Sequence, residues 1–335
     1  MVIMFLPKKK LAAAGLALTL ALGLLAGCGS SKPADKKPDP KKVFNVGIVQ
    51  LVEHPALDAA NKGFVDGLAK KGFKDGQNIK LDKQNAQADQ SNLQNIAQRF
   101  VSNKVDLICA IATPAAQTMA NATKDIPIVG TAITDYEAAK LVKSKDKPGT
   151  NVTGTTDMNP VKEQVDLMLK LVPSTKTIGL IYCSSEVNSQ LQATMVKNYA
   201  KEKGLQTLET TVSTVNDIQQ AAQNLVGKAD AIYVPTDNVL ASAMPTLIAI
   251  TNEAHIPVIC GEANMLKAGG FATLAVDYYK LGVTTGEMAG DILAGKAKAE
   301  DMAIKSQDKF ETLINKNAVE ALGLTIPADM QQYVK

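Results

Sequence analysis

Short apolar segments alternate with helical stretches along this chain, and three of the segments recur in the same order in its two halves. The pairs are VGIVQ (46–50) with IGLIY (178–182), VDLICAIATP (105–114) with ADAIYVPTDN (229–238), and IPIVG (126–130) with IPVICG (256–261). Such alternation predicts parallel sheets covered by helices on both faces. We therefore predict an α/β fold of two doubly wound parallel-sheet lobes with a hinge and an interlobe cleft. The 335 residues are enough for two such lobes.

The spacing of apolar residues predicts the elements of the first half. Val43–Leu51 is predicted to be a strand, and Pro55–Lys71 a helix with proline in its first turn. The apolar residues within Leu93–Val101 follow helical spacing as well. Val105–Ala112 and Ile126–Ala132 are again strand-like.

The amino-terminal segment has the parts of a secretory signal. Lys8–Lys10 form a basic patch, and an apolar run over 11–26 follows, shorter than the ~20 residues of a membrane span. Leu-Ala-Gly directly before Cys28 resembles the bacterial lipobox, whose cysteine receives a diacylglycerol group; the alternative is an ordinary signal peptide with a chance cysteine. We predict a signal peptide over 1–27, lipidation of Cys28, a flexible linker over 28–42, and an extracytoplasmic protein anchored by lipid to the cell membrane.

Charge and cysteine content exclude several classes. Removal of residues 1–27 takes away three lysines and leaves 33 basic against 33 acidic residues, so nothing attracts nucleic acid. Buried free thiols are expected at Cys109, Cys183 and Cys260, although a Cys183–Cys260 disulfide stays open. Only two histidines are present, without zinc-binding spacing, and no metal or cofactor is predicted.

Polar residues follow nearly every predicted strand. In open α/β sheets, ligands bind outside the carboxyl ends of the strands, where helix N-termini also point. Each single residue has the alternative of a turn or a helix cap, but their recurrence favours a cleft. The candidate ligand-binding residues are Glu53, His54, Thr113, Ala115, Ala116, Asp135, Asp157, Ser185, Glu186, Asn188, Asp237, Asn238, Glu262 and Asp277.

The residue types at these positions favour a binder of a small zwitterion over an enzyme. No nucleophile elbow, Walker loop or zinc-protease motif is present. Arg99 is the only arginine, so a ligand carboxylate would be held by N–H groups at helix starts, with Thr113 as a predicted cap. An ammonium would be held by the acids at the strand ends, and we expect Asp237 to pair with it and Asn238 to support that pair.

Six stretches of the sequence carry a resemblance to a known family: VGIVQLVEHPALDAANKGFVDGL, ATPAAQ, PIVGTAITD, PGTNVTGTTD, YVPTDN and DYYKLG. From about Val43 to its end, the chain resembles the substrate-binding proteins of bacterial ABC importers, specifically the family associated with tryptophan and tyrosine uptake. The resemblance implies a type I periplasmic-binding fold with three crossings between the lobes and the ligand in the cleft. It also implies an ABC permease and an ATPase as partners.

These observations together predict a monomeric solute-binding protein that captures an aromatic amino acid for an ABC importer. Lobe one is predicted over 43–157 and about 278–303, and lobe two over 158–277 and about 304–335. Three alternatives stay open: a binder of a sugar or a branched-chain amino acid, a surface adhesin or sensor with the same fold, and a hydrolase using the cleft carboxylates.

Overall fold

The structure, a computed structural model, describes residues 42–307 and 309–335, so the predicted signal peptide, Cys28 and nearly all of the predicted linker lie outside the described residues. The strands are β1 (Phe44–Gln50), β2 (Ile79–Asn85), β3 (Leu107–Ile111), β4 (Ile128–Ile133), β5 (Val152–Thr156), β6 (Thr177–Cys183), β7 (Gln206–Val212), β8 (Ala231–Val234), β9 (Val258–Cys260), β10 (Ala272–Ala275) and β11 (Glu311–Ile314). The helices are α1 (Pro55–Lys70), α2 (Gln90–Ser102), α3 (Thr113–Ala122), α4 (Val161–Leu171), α5 (Val187–Glu202), α6 (Ile218–Gln223), α7 (Asn238–Ser242), α8 (Met244–Glu253), α9 (Ala263–Lys267), α10 (Tyr278–Leu293) and α11 (Lys316–Leu322). The predicted strands and the first helix are confirmed to within two residues at each end.

The strands form two sheets with the same internal order. The first sheet runs β2-β1-β3-β4-β5, all parallel. The second runs β7-β6-β8-β9-β10, also parallel, and β11 is added antiparallel to β10. Every residue of β3 and β8 is buried, whereas the edge strands β2 and β7 carry the polar side chains. The prediction of two similarly built α/β lobes is confirmed.

Each sheet has its own apolar core. The core around the first sheet draws residues from 44–152 and 276–293, and the clusters around the second sheet draw residues from 161–334. We call the two bodies lobe one and lobe two. The chain passes to lobe two after β5, returns to lobe one for α10, and then passes to lobe two again for β11. The lobe boundaries at about residues 157, 277 and 303 stay predictions.

Helix α10 is held against α1 by backbone contact. A Cβ atom on Gly282 would lie 2.1 Å from the carbonyl oxygen of Ala60, and one on Gly67 would lie 2.2 Å from that of Val283. Only glycine allows two helices to approach so closely. The late helix α10 is therefore locked onto the first helix of the fold, and the N-termini of both helices lie at the interlobe cleft, where His54, Leu57 and Tyr278 line a common cavity.

Candidate functional site

A small cavity lies between the lobes, beyond the carboxyl ends of the strands. The strand order reverses between β1 and β3 and between β6 and β8, which is where open α/β sheets bind ligands. The cavity has a volume of about 10 Å³, the space of one water molecule, so the cleft is closed and an amino acid needs the lobes to move apart. Its walls are His54, Leu57, Ala132, Asp157, Thr236, Asp237, Asn238, Ala241, Glu262, Met265 and Tyr278.

Four carboxyl groups are buried in and behind this cavity: those of Asp157, Glu186, Asp237 and Glu262, none more than 3% exposed. None of the ion pairs formed within residues 42–307 and 309–335 includes them. Burial raises the pKa of all four carboxyl groups, that of Glu262 to about 7, because a low dielectric disfavours the charged form. Because none of the four has a cationic partner among the described residues, a cation bound nearby would favour their charged forms.

Asp237 uses its carboxylate to hold lobe two together. Its Oδ1 accepts the N–H of Leu240 at 2.8 Å and so caps α7. Its Oδ2 accepts the N–H of Cys183 at 2.6 Å and the hydroxyl of Ser189 at 2.7 Å. With three donors already bound, this carboxylate has little remaining capacity for a ligand.

Glu186 supports the same helix from the end of β6. Its Oε1 accepts the backbone N–H groups of Asn238 and Val239, at 3.1 and 3.2 Å. Its Oε2 accepts the side-chain amides of Asn188, at 2.8 Å, and of Asn238, at 2.5 Å. Burial, and then the nearby charge of Asp237, raises the pKa of Glu186. Glu186 therefore lies behind the cavity wall and fixes the polar turn at its surface.

Asp157 and Glu262 keep unused acceptor capacity and line the cavity. Asp157 Oδ1 accepts from the Thr134 hydroxyl at 3.0 Å, and Oδ2 accepts from the Tyr278 hydroxyl at 2.6 Å. Each oxygen of Glu262 accepts one backbone N–H from the first turn of α9. Burial raises the pKa of Tyr278, and the charges of both carboxyl groups raise it further, which places both near this hydroxyl. Because a carboxylate offers about four acceptor positions, each can bind a further donor.

Among the described residues, two side-chain hydrogen bonds join the strand ends of lobe one to those of lobe two. The Nε2 atom of His54 lies 3.3 Å from Oδ1 of Asn238, and the hydroxyls of Thr134 and Thr236 lie 3.1 Å apart. His54 and Thr134 follow β1 and β4, whereas Thr236 and Asn238 follow β8. These bonds require the lobes to be together, so they belong to the closed cleft.

His54 is a buried, neutral side chain at the start of α1. It occupies the N-cap position in an extended conformation, and its side chain makes no capping hydrogen bond. Burial lowers the pKa of His54, and this outweighs the opposing effects of the bond to Asn238 and the charge of Asp58. Among the described residues, its buried Nδ1 atom has no hydrogen-bond partner.

The start of α3 is the second unusual feature in lobe one. Ala112, and not Thr113 as predicted from the sequence, occupies the N-cap, in a positive-φ conformation (φ 86°, ψ 152°) that is strained for alanine. Thr113 is 1% exposed, and its hydroxyl has no partner among the described residues. The first-turn N–H groups of a helix also have no intrahelical acceptor. Unsatisfied donors are therefore concentrated at this helix start.

The other predicted site residues are distributed between the lobe interior and the surface. Ala115 and Ala116 are fully buried in α3 and, like Thr113, do not line the cavity. Asp135 caps the turn after β4 and pairs with Lys145 at 3.0 Å. The structure places the remaining three on the surface: Glu53, Ser185 and Asp277.

Six residues of the cavity wall are not among the candidate ligand-binding residues predicted from the sequence. Leu57, Met265 and Tyr278 follow helical spacing and look like ordinary core positions. Thr236 belongs to the polar cluster that follows β8, of which only Asp237 and Asn238 are among the predicted site residues. Ala132 and Ala241 have no side-chain signal, although Ala132 has a positive φ of 56°.

The described residues contain no disulfide, no metal-binding cluster and no membrane-spanning helix. Cys109, Cys183 and Cys260 are buried free thiols, so the open possibility of a Cys183–Cys260 disulfide is not realised. Across the described part of the chain, no group of three or more histidine, cysteine or carboxylate side chains could hold a metal ion. No helix in that part has the length and apolar character to cross a membrane.

The fold and the cleft define a two-lobed solute-binding protein. The chain belongs to the family of ABC transporter substrate binding proteins, whose model matches residues 45–334. It is 45% identical over 333 residues to a tyrosine-binding protein of Clostridioides difficile, a match that covers 98% of this chain and 96% of the relative. The predicted resemblance to the substrate-binding proteins of ABC importers is confirmed.

Comparison with two solved structures indicates how the two lobes of this chain are arranged. The L-Trp complex of an ABC domain from Streptococcus pneumoniae is 40% identical, with a TM-score of 0.84, and the match covers 88% of this chain and 100% of that one. The ligand-free, open structure of a substrate-binding protein with adhesive properties from Clostridium difficile is 47% identical, over 88% of this chain and 98% of that one, yet its TM-score is 0.67. The open structure is thus closer to this chain in sequence than the L-Trp complex is, but less similar to it in three-dimensional structure. The lobes of this chain are therefore arranged more like those of the L-Trp complex than like those of the open structure.

Proposed function

We propose that this protein captures an aromatic amino acid, tyrosine or tryptophan, outside the cytoplasm and delivers it to an ABC importer. The observation that carries the proposal is the closed interlobe cavity, whose walls bury carboxyl groups without a cationic partner among the described residues. A tyrosine-binding relative and a tryptophan complex of the same family support it.

The ligand ammonium is assigned to Asp157 and Glu262. Both line the cavity, both have unused acceptor positions, and they come from opposite sides of the cleft. Asp237, which the sequence favoured for this role, is already occupied by its three donors. An ammonium between the two carboxylates would neutralise buried charge only when the lobes are closed, so binding and closure are coupled.

The ligand carboxylate is proposed to bind at the start of α3, whose residues lie outside the wall of the small cavity. The N-terminus of a helix favours negative charge, and the buried Thr113 hydroxyl supplies a further unpartnered donor there. No arginine is needed, in agreement with the single Arg99, which pairs with Asp82 on the surface. Ala115 would contribute only its backbone N–H group.

The protein is proposed to bind without turnover and to be tethered as a monomer through lipid on Cys28. Binding proteins gain from leaving the ligand intact, and the cleft shows carboxylates and hydroxyls without a nucleophile–base pair of recognisable context. Cys28→Ser is expected to release the protein from the membrane fraction. Equal retention of variant and wild type would contradict the anchor.

Isothermal titration of the purified mature protein against the twenty amino acids and common sugars tests the proposed ligand. Tyrosine or tryptophan should give the strongest binding, and the ligand should be recovered chemically unchanged. Preferential binding of a sugar or a branched-chain amino acid would overturn the proposal, and an altered ligand would favour the hydrolase alternative.

A further inference from the structure

The side-chain amide of Asn238 has a fixed orientation. Its Nδ2 donates to Oε2 of Glu186 at 2.5 Å. That oxygen also accepts from Asn188, whose amide is itself oriented because it donates to the carbonyl oxygen of Thr236 at 2.9 Å. With its nitrogen turned towards Glu186, Asn238 presents its oxygen, Oδ1, to lobe one.

This orientation decides which nitrogen of His54 carries the proton. Asn238 Oδ1 can only accept, so Nε2 of His54, 3.3 Å away, must be the donor. Burial keeps the ring neutral, since it lowers the pKa of His54 although Asp58 and the bond to Asn238 act in the opposite sense. A neutral imidazole protonated at Nε2 has a bare lone pair on Nδ1.

The Nδ1 atom is therefore a buried acceptor on a residue that lines the cavity. His54 is 6% exposed, its ring lines the cavity beside Leu57, and Nδ1 has no partner in the described part of the chain. The carboxylates that suit an ammonium lie elsewhere in the wall, at Asp157 and Glu262. A neutral imidazole nitrogen beside an apolar side chain suits a neutral donor on the ligand side chain.

We propose that His54 Nδ1 accepts a hydrogen bond from the phenol O–H or indole N–H of the ligand, and that Glu186 and Asn238 act as positioning residues by fixing the tautomer. The inference rests on the proposed function and adds its selectivity: tyrosine and tryptophan are accepted, and phenylalanine is discriminated against. A buried acceptor left without a partner makes the analogue that lacks the donor bind more weakly.

Titration calorimetry with tyrosine, tryptophan and phenylalanine tests the selectivity. Wild type should bind phenylalanine about 10- to 100-fold more weakly than tyrosine, the cost of leaving one buried acceptor without a partner. His54→Phe keeps a planar ring and removes both nitrogens, so the ratio should fall below about threefold. Equal binding of tyrosine and phenylalanine by wild type, or an unchanged ratio in the variant, would overturn the inference. If no aromatic amino acid binds wild type, the proposed function itself fails.

Nitrogen-15 spectra of the histidine rings test the tautomer directly. The chain has two histidines, and His255 is exposed, so His255→Asn assigns both sets of signals. Wild type should show His54 protonated at Nε2. Asn238→Leu should give a mixture of tautomers together with a reduced preference for tyrosine, which loss of packing alone would not produce. A ring protonated at Nδ1 in wild type would refute the proposal that Glu186 and Asn238 fix the Nε2 tautomer.

Discussion

Replacement of Asp157 by asparagine should separate ligand binding from folding. Asp157 is 3% exposed, lines the cavity and has no cationic partner among the described residues. An ammonium about 3 Å from its carboxylate gains roughly 5 kcal/mol at an effective dielectric constant of 20. Asparagine keeps a carbonyl oxygen but loses the charge, so about 2–3 kcal/mol of binding should be lost, a 30- to 150-fold weaker affinity. The fold should not suffer, because burial already raises the pKa of Asp157 and disfavours its charged form.

Titration calorimetry with tyrosine at pH 7.5, beside a melting curve of the ligand-free protein, measures both quantities. Asp135→Asn is the matched control, since Asp135 also follows a strand of lobe one but pairs with Lys145 outside the cavity. The control should bind like wild type, and the melting temperature of Asp157→Asn should stay equal or rise. An affinity of Asp157→Asn within threefold of wild type would refute the assignment of the ammonium to this carboxylate.

Three further predictions concern stability. Gly282→Ala should lose about 2 kcal/mol of unfolding free energy in urea, because its Cβ would lie 2.1 Å from the Ala60 carbonyl oxygen, and an unchanged free energy of unfolding would contradict the close helix contact. Asp237→Asn should lower the melting temperature by the equivalent of about 1–3 kcal/mol, because an amide nitrogen would face two donors, and a stable variant would contradict the capping role. Burial raises the pKa of Glu262 from 4.5 to about 7, so the folded state binds more protons across that window and stability should fall as pH rises through it. Glu262→Gln should make this fall less steep between pH 5 and 7, although the other buried carboxyl groups still contribute, and an unchanged slope would exclude a contribution from Glu262.

The fold was predictable from the sequence because its signals are local. Buried parallel strands are continuous apolar runs, and the helices between them show their own spacing, so the sheets of both lobes follow from short windows. The three segments that recur in the same order in both halves predicted two similarly built lobes, and the two sheets do share one strand order.

The site was predictable only in part, since the same local pattern has two outcomes. Asp277 and Asp237 both follow a strand and cap a helix, yet Asp277 is exposed and Asp237 is buried in the cleft. What separates them is tertiary packing within lobe two: Cys183 and Ser189, both distant from Asp237 in the sequence, donate to its carboxylate. No short window of sequence contains that information. Tyr278 was missed for the opposite reason: at the start of an amphipathic helix it looks like a core residue, and only the tertiary structure directs its hydroxyl to Asp157.

The glycine contact between α1 and α10 also affects when lobe one can fold. A chain made from its amino terminus presents β1 to β5 long before residues 278–293 exist, and until then the groove along Gly63 and Gly67 has no helix to fill it. Most of the chain, all of the parallel part of the second sheet included, is synthesised in that interval. Lobe one is therefore completed late. For a chain that crosses a membrane unfolded, this order of assembly delays compaction until most of the polypeptide has been made.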